Sequence, residues 1–245
     1  MTDEDIASLY LFFKEVKSVS RPNQSNTLSF PFNQRILMRF WNTMFHDATT
    51  LARNPEQSSE WNRGAYLVEA LGHCGACHTP RNRLGAEQRT LALTGGTYMD
   101  KVLFGYYRPW SSVNLTPHKM GLDAWETSDI VDYLGAGVSR NAVVHGPMRD
   151  VVLNSTRYLS RDDLYAIAVY IKGVAPNAQA PGPAPSQQVL ASGEVVYTVH
   201  CGSCHMPSGE GDAGLGVSLV GNPIVQAADA ASLLNVILYG PHLPP

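Results

Sequence analysis

Cys74-Gly75-Ala76-Cys77-His78 and Cys201-Gly202-Ser203-Cys204-His205 hold every cysteine of this 245-residue chain. Each stretch is a C-x-x-C pair followed directly by histidine, the pattern of covalent haem c attachment. The chemistry is local. Two thiols add to the two vinyl groups of one porphyrin, and two intervening residues let both sulfurs reach. The next side chain then lies beneath the iron and ligates it, leaving the opposite face for a second ligand. The residues therefore predict two haem c groups, one on Cys74 and Cys77 with His78 as axial ligand, the other on Cys201 and Cys204 with His205. A zinc ribbon also uses two C-x-x-C pairs, but roughly 15–20 residues apart, far closer than these. A thioredoxin-like redox pair needs a neighbouring βαβ pattern, and none is visible.

The bulk composition fits a soluble globular protein, with 44% hydrophobic and 16% charged residues. A net charge of −3 gives no argument for nucleic acid. No apolar run approaches the roughly 18 residues of a membrane-spanning helix. The opening Met1-Thr2-Asp3-Glu4-Asp5 is acidic where a secretory leader is basic and then apolar.

Working outward, each motif follows a helical pattern. Trp61, Ala65, Val68 and Leu71 share a face before the first, and Val195, Val196 and Val199 lie on one side before the second. A cleaner helix runs over Ser160 to Val174, with Ser160 and Asp163 as a capping pair and Leu164, Ile167, Ala168 and Ile171 as its stripe. It is expected to close the first haem domain by packing across that domain's first helix. The start of the chain repeats it: Thr2 aligns with Ser160, Asp5 with Asp163, Lys14 with Lys172 and Val16 with Val174. A second internal likeness links Asp129–Leu134 and Gly137 with Ser232–Ile237 and Gly240. In the first copy Met148 follows the glycine; the same offset from Gly240 runs past Pro245.

These likenesses predict an all-α chain of tandem, class I-like cytochrome c domains, the second incomplete. Residues 1–19 read as the closing helix of a missing upstream haem domain, and 20–58 as an interdomain linker with an amphipathic helix. Residues 59–175 read as a cytochrome c domain, 176–190 as a Pro/Ala-rich spacer, and 191–245 as a partial cytochrome c domain. The spacer's Pro176, Pro181, Pro183 and Pro185 favour extended, semi-rigid geometry.

For the first haem's second axial ligand, Met99, Met120, Met148, His118 and His145 are available. Met148 is preferred. It sits in the turn-rich His145-Gly146-Pro147-Met148, before the closing helix, and a thioether ligand favours Fe(II) and raises the potential. His145 comes next. For the second haem, Met206 adjoins the proximal His205 and cannot reach the opposite face, and His242 reads as an exposed loop residue, so no distal ligand is assigned. Arg81 is a candidate partner for a haem propionate or a solvated surface arginine. Tyr107 and Trp110 read equally as haem-pocket or core aromatics. Ile36, Leu37, Phe40, Trp41, Met44 and Phe45 form an apolar stripe beside Arg35 and Arg39. It suits packing between haem domains, the favoured reading, or docking to a membrane face or partner subunit.

His73-Cys74-Gly75-Ala76-Cys77-His78-Thr79-Pro80-Arg81, then Asn114-Leu115-Thr116, Gly121 and Trp125, then Gly146-Pro147-Met148 with Val151, Val152 and Ser155, resemble the cytochrome c subunits of bacterial membrane-bound alcohol, gluconate and sugar dehydrogenases. The cytochrome subunit of nicotinate dehydrogenase-type molybdenum hydroxylases is similar. The resemblance runs over nearly the whole chain and is densest over residues 60–175. Such subunits carry three haem domains after a signal peptide, so the resemblance implies a piece of a longer precursor or a truncated gene. It further implies a non-catalytic electron-transfer subunit. Electrons would come from a flavin-, PQQ- or molybdenum-containing dehydrogenase subunit and leave to quinone or a terminal oxidase, on the periplasmic face of the cytoplasmic membrane. The enzyme alternative is a dihaem cytochrome c peroxidase, which also carries two C-x-x-C-H motifs but needs one iron with an open face.

Overall fold

The computed structural model describes residues 1–25, 27–47, 49–101, 106–212 and 214–240; His242 lies outside them. Two units are distinguished, Met1–Arg53 and Asn54–Pro245. In the first, α1 spans Asp3–Glu15 and α2 spans Arg35–Phe45. The Thr2 hydroxyl accepts a hydrogen bond from the Asp5 amide, satisfying a donor that has no carbonyl partner in the first helical turn. No residue of either helix is buried, so both apolar stripes face outward.

In the second unit α3 (Ser59–Ala65) runs on into a π-helical turn, Tyr66–Leu71. The one-turn α4 (Gly75–His78) follows, then strands β1 (Gly96–Lys101) and β2 (Tyr107–Ser112). Next come α5 (Thr127–Ala136), α6 (Gly146–Asn154) and α7 (Arg161–Gly173). The chain continues through α8 (Gln187–His200), the one-turn α9 (Gly202–His205) and α10 (Ala231–Tyr239).

The strands correct the all-α expectation. They pair antiparallel with Gly96 opposite Ser112 and Lys101 opposite Tyr107. Thr97, Tyr98, Tyr107 and Trp110 are residue types that suit a pleated surface. The run escapes a helical-periodicity search because it is short and contains Gly96 and Pro109. The architecture is mainly helical with one hairpin.

The core forms where α3 crosses α7. A side chain on Gly64 would collide with the Ala166 carbonyl and meet Tyr170 Cβ at 2.7 Å, so the two backbones touch at a point that only glycine allows. Trp61 packs edge-on to Tyr170 with centroids 4.9 Å apart. Arg63 forks onto Asp163 at 2.7 and 3.0 Å, and Ser160 caps α7 by accepting from the Asp163 amide. Leu67, Val68, Leu122, Trp125, Ile130, Leu164, Ile167 and Ile171 are buried in this core. The closing helix thus lies across the first helix of its unit, the packing that the stripe on Ser160–Val174 predicts.

Asn114 Nδ2 and Thr116 Oγ1 both donate to the Asn177 carbonyl at 2.7 Å. Gln179 Nε2 donates to the carbonyls of Thr94 and Gly95 at 3.1 Å. The first residues of the 176–190 segment are therefore fastened to the loops behind the first motif, while Pro181 to Pro185 are exposed. Beyond it, α10 lies against β2: Asn235 Nδ2 donates to the Pro109 carbonyl at 2.8 Å, and Arg108 stacks over the Tyr239 ring at 4.3 Å.

Two candidate haem centres

A single helical turn puts Cys74, Cys77 and His78 at i, i+3 and i+4, which is one face. The Cys77 and His78 amides donate to the Cys74 carbonyl at 3.3 and 3.0 Å. The π-helical turn ahead of it feeds the chain in, with Cys74 N donating to the Val68 carbonyl at 3.1 Å. Cys74 is half-buried against the core and Cys77 is exposed. Burial, with Glu69 nearby, pushes the Cys74 thiol up to about 11, a titration that thioether formation removes.

The decisive contact is on the imidazole. His78 Nδ1 lies 2.8 Å from the Val113 carbonyl. A carbonyl only accepts, so Nδ1 carries the proton and Nε2 keeps its lone pair. Burial lowers the His78 pKa and the Val113 bond partly opposes that. The result is a neutral, oriented imidazole, the state in which histidine binds a metal.

The second motif repeats this. Cys204 N and His205 N donate to the Cys201 carbonyl at 3.1 and 2.9 Å, and His205 Nδ1 lies 2.9 Å from the Val217 carbonyl. Tyr197 of α8 donates to the Met206 carbonyl at 2.7 Å. Met206 has φ 62 and His73 has φ 50, so a left-handed residue flanks each motif, a backbone state uncommon outside glycine. Val195, Val196 and Val199 of α8 are exposed; their stripe is real, but no described residue buries it.

Met148 sits in the first turn of α6, with Pro147 before it, rather than on a free loop. Proline's fixed φ suits a helix start, which is why the Gly-Pro-Met run turns helical there. Gly146 has φ +55, and a Cβ on it would stand 2.6 Å from the Trp110 ring. Trp110 of β2 also packs against His145 at 6.1 Å between centroids. Three residues on, Val113 holds His78. One segment, 107–113, therefore positions both the proximal histidine and the start of the helix that carries Met148.

Other candidates take different places. His145 Nδ1 donates to the Val143 carbonyl at 3.1 Å, and burial lowers its pKa. Met99 and Tyr107 are exposed on the hairpin. His118 Nδ1 accepts from the Met120 amide at 3.1 Å. Arg81 donates to the carbonyls of Gly85 and Ala76 at 2.6 and 2.9 Å, bracing the turn after the motif. The Val113 and Val217 carbonyls were beyond sequence reasoning, since a backbone acceptor has no residue-type signal.

A haem fits these surroundings. Besides the free Nε2 positions, the indole N–H groups of Trp110 and Trp125 are buried and donate to no atom of the described residues. A buried donor requires an acceptor, and haem propionates are carboxylate acceptors.

Comparison with known proteins gives the same answer. The alcohol dehydrogenase (quinone) cytochrome c subunit of Gluconacetobacter polyoxogenes is 35% identical over 100% of this chain and 55% of its own length. The chain belongs to the family of dehydrogenase cytochrome c subunits. A nicotinate dehydrogenase subunit of Pseudomonas putida is 34% identical over 98% of this family member and 20% of its own length. A diheme cytochrome c-type protein of Cereibacter sphaeroides is 36% identical over 70% of the chain and 54% of its own. The chain spans about half the length of the dehydrogenase cytochrome subunits it matches. No protein-family model matches it.

Proposed function

We propose that the chain is an electron-transfer cytochrome with two covalently bound haem c groups. It relays electrons from a periplasmic dehydrogenase subunit of flavin, PQQ or molybdenum type to quinone or the respiratory chain. The observation that carries this is the duplicated turn, each with a histidine whose Nδ1 is clamped by a downstream valine carbonyl at 2.8 or 2.9 Å.

Bound haem supplies reversible one-electron chemistry. Cys74 and Cys77 anchor the first group, His78 offers Nε2 to it, and Met148 is assigned to the opposite face. Cys201 and Cys204 anchor the second, His205 offers Nε2, and no distal ligand is assigned. The hydrogen bonds to Val113 and Val217 hold each ring and its tautomer fixed, so a change of iron charge needs little rearrangement of the ligand. The chain does no substrate chemistry of its own. Among the described residues no helix is long and apolar enough to cross a membrane, and we assign a peripheral association at the periplasmic face of the cytoplasmic membrane.

The test is maturation in a host equipped for haem c attachment, followed by haem staining after denaturing electrophoresis and a haem count per chain. Two haems that a flavin, PQQ or molybdenum dehydrogenase subunit reduces are the expected result. A protein free of covalent haem overturns the proposal, and so does one that reduces peroxide far faster than free haem.

A further inference from the structure

From the first unit we propose that α2 and its flanks form a docking surface for an anionic phospholipid bilayer, which names the element behind the peripheral association assigned above and rests on that reading. The geometry of the helix is the first argument. At 100° per residue, Arg35, Arg39, Asn42 and Thr43 share one narrow face of Arg35–Phe45. Ile36, Leu37, Met38, Phe40, Trp41, Met44 and Phe45 occupy the wide remainder. Ile36, Phe40 and Met44 are 57%, 66% and 62% exposed, where a helix packed in a protein core buries such residues. Phe30 and Phe32, just ahead of the helix, are 78% and 74% exposed.

Charge decides the occupant. Between Lys17 and His46 the sequence holds Lys17, Arg21, Arg35 and Arg39 and no aspartate or glutamate, in a chain whose net charge is −3. A protein interface of matching hydrophobicity has no need of a one-signed border. A bilayer with anionic headgroups does, because the apolar face enters the acyl boundary while the arginines, on long flexible stems, reach the phosphates. Neither helix of this unit is long enough to cross, so the helix lies in the interface plane.

The test uses the full, haem-loaded chain and sedimentation with vesicles, the bound fraction read from haem absorbance. Vesicles of phosphatidylglycerol and phosphatidylethanolamine should carry it down, and phosphatidylcholine vesicles should bind it much less. Arg35→Gln with Arg39→Gln should weaken binding to the anionic vesicles by roughly fivefold per arginine removed and flatten its salt dependence. Phe40→Ser with Met44→Ser should abolish binding to both kinds of vesicle; these residues are exposed, so folding and haem content stay unchanged. Equal binding to the two lipid mixtures, or none to either, overturns the proposal. So does a dimer of the wild-type chain in solution that the Phe40/Met44 variant loses, since the face would then belong to a second copy. Haem count and reduction by the dehydrogenase are measured on the same samples. A failure of the electron-transfer reading therefore appears there, and a failure of the docking surface appears only in the pellet.

Discussion

Ser111 and Ser232 exchange two hydrogen bonds: the Ser232 amide donates to Ser111 Oγ at 3.1 Å, and Ser232 Oγ donates to the Ser111 carbonyl at 2.8 Å. Both residues are buried. With Asn235 on the Pro109 carbonyl, they satisfy the edge of β2 that β1 leaves open, so α10 takes the place of a third strand. An open edge is a template for unwanted pairing, and here polar side chains of a helix close it. The same strand leads into Val113, which holds His78, so the region after the second motif is fastened to the scaffold of the first.

Replacing Ser232 by alanine should cost about 1–3 kcal/mol, because it strands the buried Ser111 carbonyl. The measurement is the urea midpoint of the haem-loaded chain, with amide exchange at residues 107–112 as a local readout. An unchanged midpoint and unchanged exchange would show that the junction contributes nothing.

The two motifs make separable predictions. Cys74→Ala with Cys77→Ala should leave one covalent haem per chain, and so should Cys201→Ala with Cys204→Ala. The fourfold variant should leave none. Pyridine haemochrome absorbance against protein concentration gives the count. One haem in the wild type, or two in either double variant, contradicts the duplicated assignment.

What was legible in the sequence divides by whether a side chain or the backbone does the work. The i, i+3, i+4 face of Cys74, Cys77 and His78 follows from spacing alone, and Thr2 and Ser160 cap their helices as their hydroxyls predict. Gly137 and Gly240 end α5 and α10 at φ 77 and 74, as the internal likeness of those segments requires. The clamps on His78 and His205 are main-chain carbonyls, and any residue type could have supplied them. Tertiary context set the rest. The hairpin around Trp110 becomes strand because α10 covers its edge, and Met148 is helical because Pro147 starts a turn there.

Acid should weaken the α3–α7 crossing. A hydrogen bond from Arg63, reinforced by its charge, holds the Asp163 carboxyl below the usual range. Its native pKa lies below the unfolded one, so the pair contributes stability above about pH 4 and loses it as pH falls toward the native value. Arg63 is half exposed, which limits the contribution to about 0.5–1 kcal/mol. Asp163→Asn should therefore be less stable than wild type at neutral pH by that amount, with the two converging in acid. Thermal unfolding at several pH values checks it, and a gap that widened in acid would contradict the sign.

Gly64 permits a sharper test of the same crossing. Alanine there drives a methyl into the Ala166 carbonyl and Tyr170 Cβ, and forced backbone separation of this kind costs about 1–3 kcal/mol or more. Denaturant unfolding of Gly64→Ala should show it, and a wild-type midpoint would mean that α3 and α7 pass at a greater distance.

Met148 is best tested where only the first haem remains, in the Cys201→Ala/Cys204→Ala background. Its helix is placed by Gly146 against Trp110, on the segment that holds His78 through Val113. Methionine is a neutral, soft ligand that favours Fe(II), so its loss should lower the potential. Met148→Ala should abolish the near-infrared methionine–iron band and shift the midpoint downward. Met148→His should restore a six-coordinate, low-spin spectrum without restoring the band, because imidazole replaces the thioether. His145→Ala should keep the band, since the His145 Nδ1 contact to Val143 belongs to the approach to α6 rather than to the iron. If the band survived in Met148→Ala and vanished in a variant of Met99 or Met120, the assignment would pass to that methionine and α6 would lose its role at the iron.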